Sequence, residues 1–228
     1  MLTPLETEAL ALSLKVALAS VVFSLPFGLL VAWLLARRDF YGKTLVNGLV
    51  HLPLVLPPVV VGYLLLVLFA QGGPLGRLLD SLFGITIAFT WQGAALAAAV
   101  MAFPLMVRSI RLSLETVDQR LEAAARTLGA SPLDSFFTVT LPLIAPGMLV
   151  GVILAFARSL GEFGATITFV SAIPGETRTL PIALYGLTQT PGGELGALRL
   201  AAISVVVAFA ALIASEIMAR RLGRGIGA

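Results

Sequence analysis

Cysteine is absent from the 228 residues, so no disulfide, thiolate nucleophile or thiolate-held metal is available. Histidine occurs once, at His51, which leaves no histidine-based metal site. Charged residues make up 12% of the chain, against about 25% in an average soluble domain. So little charge cannot cover the surface of a water-soluble body of this size. An ordinary soluble enzyme is therefore excluded. No P-loop pattern G-x-x-x-x-G-K-[ST] occurs, so no phosphate cradle of that kind lies in this chain. A membrane-embedded enzyme would need a catalytic cluster, and neither the single histidine nor any pair of convergent carboxylates supplies one. No basic n-region precedes the first apolar run, which follows Glu6 and Glu8 and is too long for an h-region, so no cleavable signal is expected.

What the chain does have is apolar length. Hydrophobic residues make up 58% and the mean hydropathy is +1.01, which points to several membrane spans. A helical span needs about 20 apolar residues. Five segments qualify, at 10–36, 49–70, 85–107, 141–169 and 198–218. In the first only Lys15 is charged, and it can snorkel. Residues 174–193 are too polar and too rich in Pro, Gly and Thr to be a sixth. The expected fold is an all-α integral membrane protein with five transmembrane helices, one membrane domain over 1–228.

The net charge of +3 reports loop placement rather than nucleic-acid binding. Arg37, Arg38, Lys43, Arg108, Arg111, Arg120, Arg126, Arg220, Arg221 and Arg224 all fall on one side of this five-span layout. The positive-inside rule then puts the N-terminus outside and the C-terminus in the cytoplasm.

The segment 108–140 is the longest on the basic side. Val117, Leu121, Ala124 and Leu128 recur at helical spacing. Glu122 precedes Arg126 by four, the favourable order for a helix pair. Gly129 suits the left-handed residue that ends a helix. Ser131 can cap a second helix, with Pro132 in its first turn and Asp134 completing a capping box. The spacing predicts a short helix, a glycine turn and a second helix that enters the membrane at Leu141-Pro142. Such an element either lies along the bilayer or docks a soluble partner.

This segment resembles the Glu-Ala-Ala loop of ABC-importer permease subunits. Gly129, Val139, Leu141 and Pro142 have that pattern's spacing. Glu122 departs from it: it lies seven residues before Gly129, so Ala123 stands at the usual glutamate position. The resemblance extends through residues 51–66, 124–131, 156–171 and 173–185, and is nearest to the molybdate permeases within the molybdate/sulfate/tungstate group. It implies the type I ABC importer permease fold in a bacterial inner (plasma) membrane. It implies a homodimer of this subunit, two cytoplasmic ATPase subunits that hold the ATP and Mg, and a periplasmic or lipid-anchored oxyanion-binding protein. No cofactor in this chain and no nucleic-acid partner are implied. The residues it assigns to ATPase coupling are Leu121, Glu122, Ala123, Ala124, Ala125, Arg126, Leu128, Gly129, Leu141 and Pro142. A secondary anion transporter is the competing class, and the repeated halves expected of it are not evident.

Charges at bilayer depth mark cavities or partners. Arg158 and Glu162 are such charges inside the fourth expected span. They form either a self-neutralising i,i+4 pair or part of an anion path or gate. Ser159, Thr166 and Thr168 could offer hydroxyl donors to an oxyanion, or could bind neighbouring helices. Pro53, Pro57 and Pro58 break the start of the second span, as a fixed kink for packing or as a moving gate, and His51 is read as packed or solvated rather than a ligand. Gly147 and Gly151 suit close helix packing, within the chain or between copies. The loop 172–197 is either a surface for the binding protein or a turn-rich connector.

Overall fold

A computed structural model of the chain describes residues 2–226, with side chains at all of these except 215, 216 and 218–226. Among the described residues all regular structure is helical. The elements are α1 (Pro4–Arg37), α2 (Lys43–Val55), α3 (Pro58–Phe69), α4 (Pro74–Phe83), α5 (Trp91–Thr116), α6 (Gln119–Thr127) and α7 (Pro132–Ser135). After a π-helical turn (Phe136–Thr140) follow α8 (Leu141–Leu160), α9 (Gly164–Val170), α10 (Leu180–Thr188) and α11 (Glu194–Ile226).

Local capping moves the span ends away from where hydropathy alone suggests. The first starts at Pro4 rather than residue 10. Thr3 accepts the Glu6 N–H through Oγ1 at 3.3 Å and donates its own N–H to the Glu6 carboxylate at 2.7 Å. That reciprocal box satisfies two of the first-turn groups that an open helix end leaves bare. The third starts at Trp91 instead of 85 and ends at Thr116, with the Thr90 hydroxyl accepting the Gly93 N–H. The fifth starts at Glu194. Arg220, Arg221 and Arg224 have side chains outside the described residues.

Two expected spans are broken. The second, expected over 49–70, is α2 and α3 meeting at a bend of 115°. Leu56 is extended (ψ 142°), as a residue before proline prefers, and Pro57 and Pro58 have no N–H to continue the ladder. The fourth, expected over 141–169, stops at Leu160 and resumes as the separate α9. It also starts earlier, because α7, the π turn and α8 form one path over Pro132–Leu160. Among the described residues four helices are thus long and apolar enough to span, or five if the bent pair counts as one.

Packing fixes the relative directions. Near its start α1 packs Leu12 and Val16 against Ala94, Ala97, Ala98 and Met101 of α5. Near its end Leu35 packs with Ile110, Leu114 and Ile144. Helices α1 and α5 therefore run side by side in the same direction, and α8 runs against them. α11 begins beside the start of α1, where Arg199 and Glu6 pair at 3.0 Å. Helix α3 packs Val61 and Leu65 against α9, with the Phe69 and Phe169 rings 6.2 Å apart.

Gly147 meets α5 of its own chain. An added Cβ there would lie 1.5 Å from the Ser113 hydroxyl oxygen, and the Ser109 hydroxyl donates to the Gly147 carbonyl at 2.9 Å. Both Gly147 and Gly151 make close contacts with α5 of the same chain.

Candidate functional site

The segment from Asp118 to Thr140 is built by local capping. The Asp118 carboxylate accepts the Arg120 N–H at 2.9 Å and opens α6. At its far end the Ala130 N–H donates to Ala125 O at 3.1 Å and the Gly129 N–H to Arg126 O at 3.0 Å. These two bonds make a Schellman ending, and Gly129 adopts the left-handed φ of 95° that it requires. Ser131 then accepts the Asp134 N–H and donates its own to the Asp134 carboxylate, both at 3.2 Å. Helix, glycine turn and capped second helix stand where the spacing placed them.

Of the expected stripe, Val117 instead closes α5 and packs inward on the Leu35–Ile110–Leu114 core, while the apolar residues of α6 face away from the protein. Leu128 is 89% exposed, and Leu121 and Ala124 are exposed beside it. Leu133 and Phe137 extend the surface into α7 and the π turn. Arg120 and Arg126 flank it, also exposed. Ala123 is exposed and Ala125 half-buried. Leu141 instead packs inward among Leu35, Ile110 and Ile144, and Pro142 occupies the first turn of α8.

Glu122 does not pair with Arg126 as its spacing suggested. It points inward, and one carboxylate oxygen accepts from Arg37 Nη2 at 3.0 Å and from the Thr140 hydroxyl at 2.8 Å. Arg37 closes α1, and Thr140 precedes α8. The carboxylate thus clasps α6 to two long helices at once. Burial favours this choice: an Arg–carboxylate pair away from water is stronger than the exposed i,i+4 alternative.

At the other end of α8, Glu162 is buried in the break before α9. One oxygen accepts the Ala165 N–H at 2.8 Å, and the other meets Arg158 Nη1 at 2.6 Å. The glutamate therefore caps a helix and holds an arginine. The Thr166 hydroxyl donates to Phe163 O at 2.9 Å and the Thr168 hydroxyl to Gly164 O at 2.8 Å. Ser159 and Ser20 place their hydroxyls 2.8 Å apart between α8 and α1. Of these residues only Arg158 and Thr168 are incompletely buried. Neither lines the groove of about 660 Å³ that lies among α1, α2 and α5. That groove is apolar, walled by Phe23, Phe27, Leu49, Ile87, Trp91 and Phe103 among others.

The loop 172–197 is tied down rather than free. Glu8 accepts the Gly175 N–H, Glu176 accepts the Trp91 N–H at 3.2 Å, and Ser13 accepts the Leu180 N–H at 2.7 Å. His51 Nδ1 lies 2.8 Å from Asn47 O, within its own helix. Lys15 does not simply reach outward: its ammonium sits 3.6 Å from the centre of the Trp91 ring.

Residues 24–224 match the model of the family described as "binding-protein-dependent transport system inner membrane component". The chain belongs to this family. Similar relatives are the "molybdenum transport system permease protein ModB" of Escherichia coli (strain K12), 64% identical with 96% of both chains covered, and that of Haemophilus influenzae, 55% identical with 98% of this chain and 97% of the relative covered. The "sulfate transport system permease protein CysW" of Synechococcus elongatus is 39% identical, with 95% of this chain and 75% of the relative covered. Among solved structures, a bacterial ABC transporter involved in alginate import matches with a TM-score of 0.76 at 17% identity, covering 96% of this chain and 80% of that one. The MetNI methionine ABC transporter matches with a TM-score of 0.74 at 18% identity, covering 97% and 99%. These likenesses show that the fold is that of ABC transporter membrane subunits.

In this inner membrane component the sequence pattern left out Arg37 and Thr140 as partners of Glu122. Arg37 lies 85 residues from Glu122, so no local spacing could reveal it. Thr140 sits directly before the Leu141-Pro142 pair that was recognised, and its position there was the available signal. Glu122→Ala should loosen α6, so trypsin should cut after Arg120 or Arg126 severalfold faster in detergent-solubilised protein. With Arg37→Met the effect should be non-additive, by about 1 kcal/mol or more in a double-mutant cycle. An unchanged cleavage rate in Glu122→Ala would show that the clasp does not hold the helix.

Proposed function

We propose that the chain is the permease subunit of an ATP-driven importer that carries molybdate across the bacterial inner membrane. The observation that carries the substrate is 64% identity, over 96% of both chains, to a molybdenum transport permease. The observation that supports coupling is the outward apolar surface of Leu121, Ala124, Leu128 and Leu133 on a rigidly capped element. A soluble face of this kind suits an apolar cleft on a second protein. In our reading two ATPase subunits dock there, one on each copy of a permease homodimer, and hold the ATP and Mg. Leu141 and Pro142 start the helix that receives the motion.

The ten basic residues support an orientation with α6 and the C-terminus in the cytoplasm and the start of α1 outside. A periplasmic or lipid-anchored binding protein then meets the outer face, including the loop 172–197 held by Glu8 and Glu176. Closure of the ATPases on ATP displaces α6, and the Glu122 clasp passes this to α1 and α8. Arg158 serves the anion path: it keeps an exposed fraction and a charge opposite to the dianion, while Glu162 positions it. Ser159, Thr166 and Thr168 contribute through helix packing, their hydroxyls being engaged within the protein.

The test is uptake into proteoliposomes holding the chain, its ATPase and its binding protein. Molybdate should accumulate only with ATP inside. Accumulation driven by an ion gradient, without the ATPase, would overturn the reading. Sulfate is the second substrate to examine, given the 39% identity to a sulfate permease. Sulfate uptake outrunning molybdate uptake at equal concentration would reassign the substrate and leave the class intact.

A further inference from the structure

Helix α4 is too short to span, yet its composition is sharply divided. Placed at about 100° per residue, Leu78, Leu82, Leu75, Leu79 and Phe83 fill an arc of about 140°. Asp80, Arg77 and Ser81 fill the opposite side. The protein covers only part of the apolar arc. Gly76 is buried and Leu79 half-buried, but Leu78 is 51% and Leu82 64% exposed, and Leu75 and Phe83 are exposed as well.

The position of α4 names its occupant. It lies at the end of the bundle where α1 and α5 begin, between the close of α3 at Phe69 and the start of α5 at Trp91. Trp91 carries the Lys15 ammonium on its ring, and tryptophan with lysine is the pairing expected at the bilayer boundary. The helix thus sits at the level of that boundary. Its bare face also continues the exposed apolar surfaces on either side. Tyr63, Leu64, Val67 and Leu68 of α3 precede it, and Ile85 and Phe89 follow it. A water-facing helix would not leave such a row uncovered, whereas an interfacial one buries it among headgroups and upper acyl chains.

We infer that α4 lies in the plane of the membrane surface, with Leu75, Leu78 and Leu82 inserted into the lipid of the leaflet next to Trp91. Its polar arc, with Arg77 and Asp80, faces water and headgroups. The helix anchors the α3–α5 connection to the bilayer, so the bent pair is held at its far end by lipid as well as by protein.

The chain contains no cysteine, so single-cysteine variants report one site each. Leu78→Cys, Leu82→Cys, Arg77→Cys and Ser81→Cys would be labelled with bimane in phosphatidylethanolamine–phosphatidylglycerol vesicles, with and without brominated acyl chains. Brominated lipid should quench positions 78 and 82 severalfold more than 77 and 81, and aqueous iodide should show the reverse order. The unsubstituted chain, photolabelled by a phospholipid with a diazirine near its headgroup, should carry the label within residues 75–83. Iodide quenching equal at all four positions would overturn the inference by placing the helix in water. So would positions 78 and 82 that escape both quenchers, which would put a second copy or another protein on this face. Absence of photolabel from residues 75–83 would overturn it without any substitution.

Discussion

Leu128→Glu should abolish ATP-driven uptake while leaving the protein folded in the membrane. The side chain is 89% exposed, so the substitution removes almost no contact within this chain. Surface changes of that sort alter stability by about 0.5 kcal/mol or less. In a partner's cleft the same leucine would contribute about 1.5–3 kcal/mol of apolar burial, and a buried unpaired carboxylate adds a further desolvation cost. Each 1.4 kcal/mol is a factor of about ten, so ATPase association should weaken by about tenfold to a hundredfold or more. Co-purification of the ATPase and its stimulation by the permease both report this. Leu128→Met, which keeps apolar volume, should retain both. Normal uptake by the Leu128→Glu variant would show that α6 does not dock a partner through this surface.

Gly147→Leu should unfold or misassemble the bundle. The Cβ alone would sit 1.5 Å from the Ser113 Oγ and 2.6 Å from its Cβ, inside van der Waals contact with a packed helix. The clash cannot be relieved by a rotamer at position 147, because it involves the first side-chain atom. Helices α5 and α8 must separate, which breaks the Ser109 bond to the Gly147 carbonyl as well. Overpacking costs about 1–3 kcal/mol and occasionally more, and here the upper end is expected because backbone must move. The readout is the thermal midpoint in detergent, followed on the purified protein. Ser113→Gly should recover part of the loss, since it removes both atoms that the new Cβ meets. A variant as stable as the parent would mean that the α5–α8 contact is looser than described.

Legibility in the sequence followed the range of each interaction. The Gly129 turn and the Ser131-Pro132-Asp134 box could be read because both partners lie within a few residues. Whole spans could be read because burial in lipid needs only apolar length. The inward turn of Glu122 could not, since its competing partner Arg126 is local and the partner it takes is contributed by the end of α1. The proline pair at 57–58 announced an interruption, but the 115° bend depends on α3 packing against α9, a contact made across some hundred residues of sequence. The break after Leu160 was hidden for a different reason. Hydropathy stays high through Phe169, and only the Glu162 side chain, by capping a new helix, marks the interruption. Helix α4 escaped because a search for spans discards anything of its length, although the division of its faces is plain in the residues.

The path from Pro132 to Leu160 is a single helical rod of 29 residues. At about 1.5 Å per residue it is about 43 Å long. Thr140, gripped by Glu122, lies near one end, and the Arg158–Glu162 pair lies near the other. Between these ends the rod crosses α5 with Gly147 on Ser113, and a rod pivoting at that crossing would act as a lever. A tilt of about 10° about Gly147 would carry Arg158 sideways by about 3 Å, since about 17 Å of helix separate them. The Arg158–Glu162 pair, formed at the end of this same rod, would travel with it. Gearing of this kind would pass a small adjustment at the Thr140 end to the Arg158 end through one stiff element.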